Sequence, residues 1–585
     1  MKSVVMLWVA CLKEAGDQYR VRTNRDLAYA LSRVEKEGLS FLGITLPNFE
    51  KDLLTAVARG YAGSDLFAGF TQRGGLPTFM SGFLCQIFDV DGLLRDDADP
   101  SLLRAVRQVL LLVSKTEAPY SKESKEKAIA AYVTTDALLD EIPNDLLSVF
   151  GTVSGNLLGP YFTALESRLW SGDWHPRNSS GALATRESYN SRYGNRTWTE
   201  RLQGVFPYWE DLAVSPREII DFRDEFSILA RNEEHPVRVT LVPKTMKGPR
   251  IIAMEPCWMQ FVQQGILGAM TELIELEEFR QYAQIFSWLD QEPNRELSRE
   301  GSIDGSYATL DLSEASDRVS LELACALFAR HPFLKECVLA CRSETASLPS
   351  GKTIALRKFA SMGSALCFPI ESMVFFIIEA IAWAESEGIE PSKLRMRDIP
   401  RMRVYGDDLI VPTTAAQTLR LLLEAYGLKV NARKSFTTGL FRESCGADWF
   451  KGKDVSVFKL RAPFPDGKHQ YDLIERAIGF HNRAYSAGWF SVAATSEQLL
   501  LGVVPRLPRV PVGIDAAALW SWEGPYAVRT NPRLHRKEYK VLVFRQVKPV
   551  DPLDGYGALR KFFAPRGDLP RGIDHLQRDG RSRYA

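Results

Sequence analysis

The chain has 585 residues, 45% of them hydrophobic and 25% charged, which is an ordinary globular composition with ample material for a core. That length suits several domains or one large multi-lobed enzyme. The 73 basic and 72 acidic residues nearly cancel, so whole-chain charge singles out no polyanionic partner. The eight cysteines form no CxxC pair and lie at no zinc-finger spacing from histidine, which leaves free thiols in a reducing compartment as the plain reading.

Taken in order, the opening "MKSVVMLWVACLKEAG" has one Lys before an apolar run, but it continues straight into charged helix-like sequence and reads as fold rather than secretory leader. Residues 1 to about 165 are mostly helical in pattern, with apolar positions at three-to-four spacing in 100–115 and 144–170. A polar Gly- and Ser-rich stretch (171–196) is too long to be a tidy connector. Strand pattern starts at Val237 ("VRVTLVPK") and helix at about Trp258. "YATLDLS" (307–313) is a strand entering a helical stretch near Ser320, and a long helix follows Gly363. Its apolar run "MVFFIIEAIAWA" (373–384) is too short for a membrane span and contains Glu379, so a buried helix is expected. "MRVYGDD" and "LIVPTT" predict a hairpin about a Gly-Asp turn. "LRLLLEAYG" (419–427) predicts a helix ended by Gly. Beyond Lys459 the composition turns Pro-, Trp- and Arg-rich, the best candidate for a boundary. Arg506–Lys548 carries nine basic residues against three acids, and the last 26 residues seven against three. That basic end suits either a polyphosphate surface or a solvated face. A soluble intracellular protein is expected.

The hairpin raises the chemical question. Asp407 and Asp408 are adjacent carboxylates between apolar runs, and at ~5 Å in an effective dielectric of about 20 their repulsion is roughly 3 kcal/mol. A divalent cation is the natural compensation, since Mg²⁺ favours carboxylate oxygens and retains sites for substrate phosphates. Gly-Asp-Asp also makes an ordinary turn. Asp311 at the end of its strand offers a third acid, as a two-metal phosphoryl-transfer site requires. Asp317 is placed either to face the incoming group or to sit as a helix N-terminal acid. Lys244, Lys247 and Arg250 recur at three-residue spacing after a strand and could hold a triphosphate. Gly363, in a Ser-Met-Gly turn after Ser361, permits close approach of a nucleic acid backbone. Glu371 carries no assigned role beyond pairing with an arginine. Lys434 is a proton donor to departing pyrophosphate or an exposed lysine.

The order of these pieces resembles the motif series of a palm-domain RNA-dependent RNA polymerase, and more narrowly the replicase catalytic subunit of the single-stranded RNA bacteriophages, the leviviruses. The residues that carry the resemblance are Val242, Pro243, Lys244, Lys247, Arg250, Glu255 and Pro256, then Asp311 through Asp317, Tyr405 to Asp408, and Phe441 to Gly446. It spans about Arg238 to Leu460. Ser364, Ala365 and Cys367 stand where the family usually has Asn, Gly and Thr, which puts the family's sugar and template contacts from those positions in doubt.

The resemblance implies an α+β right-hand polymerase of fingers, palm and thumb, with an antiparallel palm sheet flanked by helices. It places an N-terminal helical region and fingers at 1–303, palm at 304–335 and 361–460, a fingers excursion at 336–360, and thumb with the basic C-terminal region at 461–585. Asp311, Asp407 and Asp408 would bind two Mg²⁺ ions, with Mn²⁺ as a substitute. Asp317 with Ser361 would recognise the ribose 2′-OH, Lys244, Lys247 and Arg250 the triphosphate, Gly363 the template, and Lys434 would complete the catalytic set. Trp520, Trp522, Tyr526 and Tyr539 would track single-stranded RNA or fill the thumb core. The implied activity is RNA-directed RNA synthesis from NTPs on a single-stranded phage RNA template, in the cytoplasm of a bacterial host and away from membranes. Host partners would be elongation factors Tu and Ts and an RNA-binding ribosomal protein. The rivals are a reverse transcriptase, a silent RNA-binding scaffold and a capsid-type protein.

Overall fold

A computed structural model describes residues 2–139, 141–211, 213–543, 551–564 and 583–584. Most of the basic C-terminal tail, together with Arg545 and Lys548, lies outside them. Helices dominate and the sheets are small, so the expected α+β class holds.

Four N-terminal helices matter to the site: α1 (Lys2–Tyr19), α2 (Pro100–Leu111), α3 (Lys122–Ala137) and α4 (Asn144–Leu157). Helix α2 starts where Asp99 caps it, its carboxylate accepting from the Ser101 N–H at 2.8 Å ahead of a first-turn Pro. The helical pattern over 144–170 is two helices, broken at Leu158 and restarted by Gly159-Pro160.

Next come β1 (Val237–Thr245), β2 (Gly248–Met254) and α5 (Cys257–Ile274), and after them β3 (Tyr307–Asp311), β4 (Thr345–Ser347) and β5 (Thr353–Ala355). Strands β2-β1-β4-β5 form one sheet in which only β1 and β4 run parallel. Helix α6 (Cys367–Ser386) precedes β6 (Arg403–Tyr405) and β7 (Asp408–Pro412). The order β6-β7-β3 makes a three-stranded antiparallel sheet. Helix α7 (Ala416–Ala425) ends before Gly427, whose φ of +80° reverses the chain. Beyond it lie β8 (Phe441–Ser444), α8 (Tyr471–Ser486) and α9 (Phe490–Leu501).

Two large cores hold these pieces. One runs from Ile142 to Leu428 and has α6 at its centre, with Ile370, Met373, Phe375, Phe376 and Ile377 fully buried. At 20 residues α6 is longer than its apolar run and passes the length and hydropathy test for a membrane span, but 89% of that window is buried in protein. The second core joins residues 4–113 to 436–542, so the two ends of the chain pack together. Trp8 donates from Nε1 to the Val109 carbonyl at 2.9 Å, and the Glu14 carboxylate accepts the N–H groups of Ser491 and Val492 in the first turn of α9. Segment 112–117 lies along 460–461: Leu460 N–H donates to Leu112 at 2.7 Å and the Thr116 hydroxyl to Leu460 at 2.9 Å. The 171–196 stretch is largely irregular yet anchored, with Trp174 buried against Phe206.

Candidate active site

Apolar β6 and β7 pair Tyr405 with Asp408, leaving Gly406 and Asp407 as a two-residue turn. Gly406 has φ +57° while Asp407 does not, the pattern of a type II′ hairpin turn. A side chain at 406 would also place Cβ 2.4 Å from Cε2 of Phe368 in α6. The expected hairpin is therefore present.

On the other edge of β7 the register sets Asp408 directly opposite Asp311 of β3. Facing residues in an antiparallel pair have Cβ atoms about 5 Å apart, and like charges there repel. The electrostatics follow. Burial raises the Asp408 pKa to about 6, with Asp407 adding to the effect, while the Cys445 N–H bond at 3.0 Å opposes it. Burial and the Asp311 charge raise Asp407, with Lys434 and Lys244 opposing. Asp407 is nonetheless open to solvent at the turn rather than enclosed in a core. Asp311 is the most fully partnered of the three: Lys434 Nζ donates to Oδ1 at 2.9 Å and Asn431 Nδ2 to Oδ2 at 2.7 Å. Burial works against the Lys434 charge, but Glu443, Asp311 and Asp407 outweigh it and raise its pKa. The lysine is thus half-buried and paired, not free.

As donors, three carboxylates in mutual repulsion suit a hard divalent cation. As placed, no group of three His, Cys, Asp or Glu among the described residues is set to hold a metal. The Lys434 ammonium and the Asn431 amide occupy the Asp311 oxygens a metal would need.

Opposite the acids stands a set of cations. Lys244, Lys247 and Arg250 lie on the β1–β2 hairpin. The hairpin is fastened by Lys244 N–H to the Tyr120 hydroxyl at 2.8 Å and by Lys247 Nζ to Asn48 Oδ1 at 3.0 Å. Burial and Arg250 lower the Lys244 pKa, and Lys434 lowers it further. Burial also lowers Lys247, followed by Lys51 and Arg433. Two cations that the sequence reading missed join them: Lys115 is pushed down to about 8 by burial and then by Lys459, Lys244, Lys434 and Arg250. Among the described residues none of Lys115, Lys244, Arg250 or Lys459 has a carboxylate within ion-pair distance. Accumulated unpaired charge of this kind is a polyanion site in waiting.

Asp317 lies in the one-turn helix Ala315–Arg318, where Lys358 Nζ donates to its Oδ1 at 2.8 Å. Ser361 is buried, with Oγ 2.8 Å from the Tyr132 hydroxyl of α3. Gly363, at φ +139°, touches backbone: a Cβ there would sit 1.9 Å from the Ala253 carbonyl oxygen, and Ala253 N–H donates to Met362 at 2.9 Å. Ser364 donates to Gln263 Oε1 at 3.1 Å. Glu371 has no arginine partner among the described residues; burial pushes its pKa up to about 8, and Cys367 Sγ lies 4.0 Å from its Oε2. Trp520 and Tyr526 bond backbone carbonyls of their own region, at Ile514 and Ser521, while Trp522 is exposed.

Comparison with known proteins bears on this geometry. Residues 218–476 match the family RNA replicase, beta-chain. The matched region thus contains every acid of the trio, Asp317, Ser361 and Lys434. Among curated relatives, the RNA-directed RNA polymerase subunit beta of Enterobacteria phage SP is 33% identical over 372 residues, 62% of this chain and 59% of that one. The beta chain of Enterobacteria phage fr is 35% identical over 348 residues, 57% and 56% of the two chains. The subunit beta of Escherichia virus Qbeta is 35% identical over 288 residues, 49% and 45%. The chain therefore spans about half the length of the curated relatives it matches. A solved RdRp complex aligns with 79% of this chain and 45% of its own at 10% identity and a TM-score of 0.44, a likeness too distant to carry the fold by itself. The levivirus-replicase resemblance read from the sequence is the one the comparisons return.

Proposed function

We propose that the chain is an RNA-directed RNA polymerase that copies single-stranded phage RNA from NTPs. The observation that carries this reading is the pairing of Asp408 with Asp311 across two strands, with Asp407 at the adjoining turn, opposite a set of unpaired cations. The similarity of residues 218–476 to phage replicase beta chains supports it.

In this reading β3, β6 and β7 are the palm, within the boundaries 304–335 and 361–460. The region 1–303 with the excursion 336–360 forms fingers, and 461–585 forms the thumb. Lys244, Lys247 and Arg250, joined by Lys115 and Lys459, hold the triphosphate against its own repulsion and steady the charge of the leaving pyrophosphate. Asp317 and Ser361 read the ribose, and the Ser361-Met-Gly363 turn borders the template. Asp311, Asp407 and Asp408 would hold two Mg²⁺ ions, which lower the pKa of an attacking hydroxyl and stabilise charge at phosphorus. The 3′-oxygen of the growing strand bonds to the α-phosphorus, the bond from that phosphorus to the bridging oxygen breaks, and pyrophosphate departs. Lys434 holds a proton at Nζ beside this chemistry, and that proton is the one assigned to the departing oxygen. The host-cell cytoplasm, elongation factors Tu and Ts and a ribosomal RNA-binding protein belong to the same proposal.

The test is incorporation of labelled NTPs, with dNTPs in a parallel arm, on an RNA template with Mg²⁺. The full chain is compared with Asp407→Asn, with and without bacterial extract. Template-dependent RNA that the substitution abolishes supports the proposal. Preference for dNTPs selects a reverse transcriptase, and silence under every condition moves the assignment to an RNA-binding scaffold.

A further inference from the structure

Outside the acid trio, Lys358, Tyr132, Ser361 and Asp317 form a connected, largely buried circuit. The Lys358 side chain has 0% exposure, and its only carboxylate partner among the described residues is Asp317, at 2.8 Å. Its Nζ also lies 3.5 Å from the centre of the Tyr132 ring. The Tyr132 hydroxyl in turn lies 2.8 Å from Ser361 Oγ. The lysine backbone is fixed. Its N–H donates to Asp136 Oδ1 at 3.1 Å, and its carbonyl accepts from Arg342 Nη2 at 2.8 Å. Such a buried cation on so constrained a backbone holds its partners in one geometry.

Hydrogen-bond polarity follows from donor and acceptor chemistry. An ammonium can only donate, so Asp317 Oδ1 must accept. The same charge over the ring face draws electron density from the phenol and makes the Tyr132 hydroxyl the better donor. Either oxygen can donate across this contact; with Tyr132 as the donor, the Ser361 hydrogen is left for another acceptor. Asp317 Oδ2 accepts no bond from any described residue, and its side chain is 26% exposed. One end of the pair then presents a donor and the other an acceptor. Only a group that accepts and donates at once can bridge them, as a hydroxyl does. Ser364 is unavailable for this task because its own hydroxyl is committed to Gln263.

We propose that Tyr132 and Lys358 are positioning residues that set the polarity of a ribose 2′-hydroxyl reader, Tyr132 through Ser361 and Lys358 through Asp317. The proposal rests on the polymerase reading and adds a residue from helix α3, 229 positions away in sequence from the serine it orients. A 2′-deoxy sugar leaves both ends unpaired, and a 2′-fluoro sugar accepts but cannot donate, so both fail the same reader.

The experiment measures kcat/KM of the full chain for GTP, dGTP and 2′-fluoro-dGTP on an RNA template with Mg²⁺. Tyr132→Phe, which removes one hydroxyl, is compared with Lys358→Met and Lys358→Arg. The GTP-over-dGTP preference is expected to fall by about ten- to a hundredfold in Tyr132→Phe and Lys358→Met, chiefly through loss on GTP. Lys358→Arg, which keeps the charge, is expected to restore part of it. A purely structural role lowers both substrates together and leaves the ratio unmoved, which overturns the proposal; Tyr132→Phe decides alone if Lys358→Met does not fold. Wild-type use of the 2′-fluoro analogue on a par with GTP overturns the donor half. A wild type that polymerises nothing even with bacterial extract added sinks the polymerase reading itself, and this inference with it.

Discussion

Asp311 and Asp317 lie six residues apart and each pairs with one lysine, but Asp311 shares its surroundings with two further carboxylates and Asp317 does not. Asp317 has an internal countercharge, a lysine buried to 0% exposure whose backbone is bonded on both sides. Asp311 faces Asp408 across the strands with Asp407 at the adjoining turn, and among the described residues Lys434 is the one cation in ion-pair contact with the three. On the proposed function, the acid assigned to reading the sugar is neutralised within the fold, and the acids assigned to a cation are left with a charge deficit that would cost stability until a cation is bound.

The sharpest way to break that contrast is to neutralise one acid of each kind. Asp407→Asn is expected to lower nucleotide incorporation by about a thousandfold or more, while thermal stability holds or rises because a repelled charge has been removed. Equal loss of stability and activity in that variant would mean that the trio is structural.

A third acid extends the comparison to a carboxylate answered by hydrogen bonds more than by charge. Glu255 is buried, and burial pushes its pKa up to about 7; Ser343, at 2.6 Å, and Gln263 oppose, with Arg342 and Arg201 adding smaller effects. The raised folded-state pKa makes its contribution full and constant below the unfolded value of 4.5, falling as pH rises through about 7 and flat above. Relative to Glu255→Gln, the wild type should lose up to about 3 kcal/mol of stability between pH 4.5 and pH 7.5. Urea unfolding of both chains at several pH values checks it, and a constant difference would refute it.

The Asp317–Lys358 pair itself predicts a smaller effect of opposite sense to Asp407. Asp317→Asn strands a buried ammonium and should cost about 2 kcal/mol, reduced from the fully buried case because the carboxylate is partly exposed. In a double-mutant cycle with Lys358→Met the two losses should be less than additive. Strict additivity would show that the 2.8 Å contact carries no energy.

What the sequence disclosed and what it hid divide along the same line. The Gly-Asp hairpin, its flanking strands and the buried α6 were legible because each depends on local alternation, a turn glycine or a continuous apolar run. Asp407 and Asp408 were legible because adjacent acids inside an apolar pattern demand an explanation, and Asp311 because it closes an apolar-patterned strand. Lys358 lies three residues before Ser361, but nothing local distinguishes a buried lysine from a solvated one. Tyr132, Lys115 and Lys459 join their sites only through packing between distant segments, such as Arg107 Nη1 on the Val455 carbonyl 348 residues away. Glu371 shows the limit from the other side: an arginine partner was the natural expectation, and burial with a raised pKa takes its place.

The deficit at Asp311, Asp407 and Asp408 also predicts a small signal that needs no turnover. A cation bound only by the folded chain, at ten times its dissociation constant, adds about 1.4 kcal/mol. In a chain of this length that is about one degree of melting temperature. Mg²⁺ should therefore raise the wild-type midpoint slightly, fail to do so in Asp407→Asn and Asp408→Asn, and act normally in Asp317→Asn, whose countercharge is already built in. Lys434 occupies the Asp311 oxygen that a metal would need, so on the proposed reading Lys434→Met should need less Mg²⁺ for the same shift. A Mg²⁺ response that ignores the trio but vanishes with Asp317 would exchange the roles of the two acids, and with them the reading of which carboxylate waits for a partner from outside.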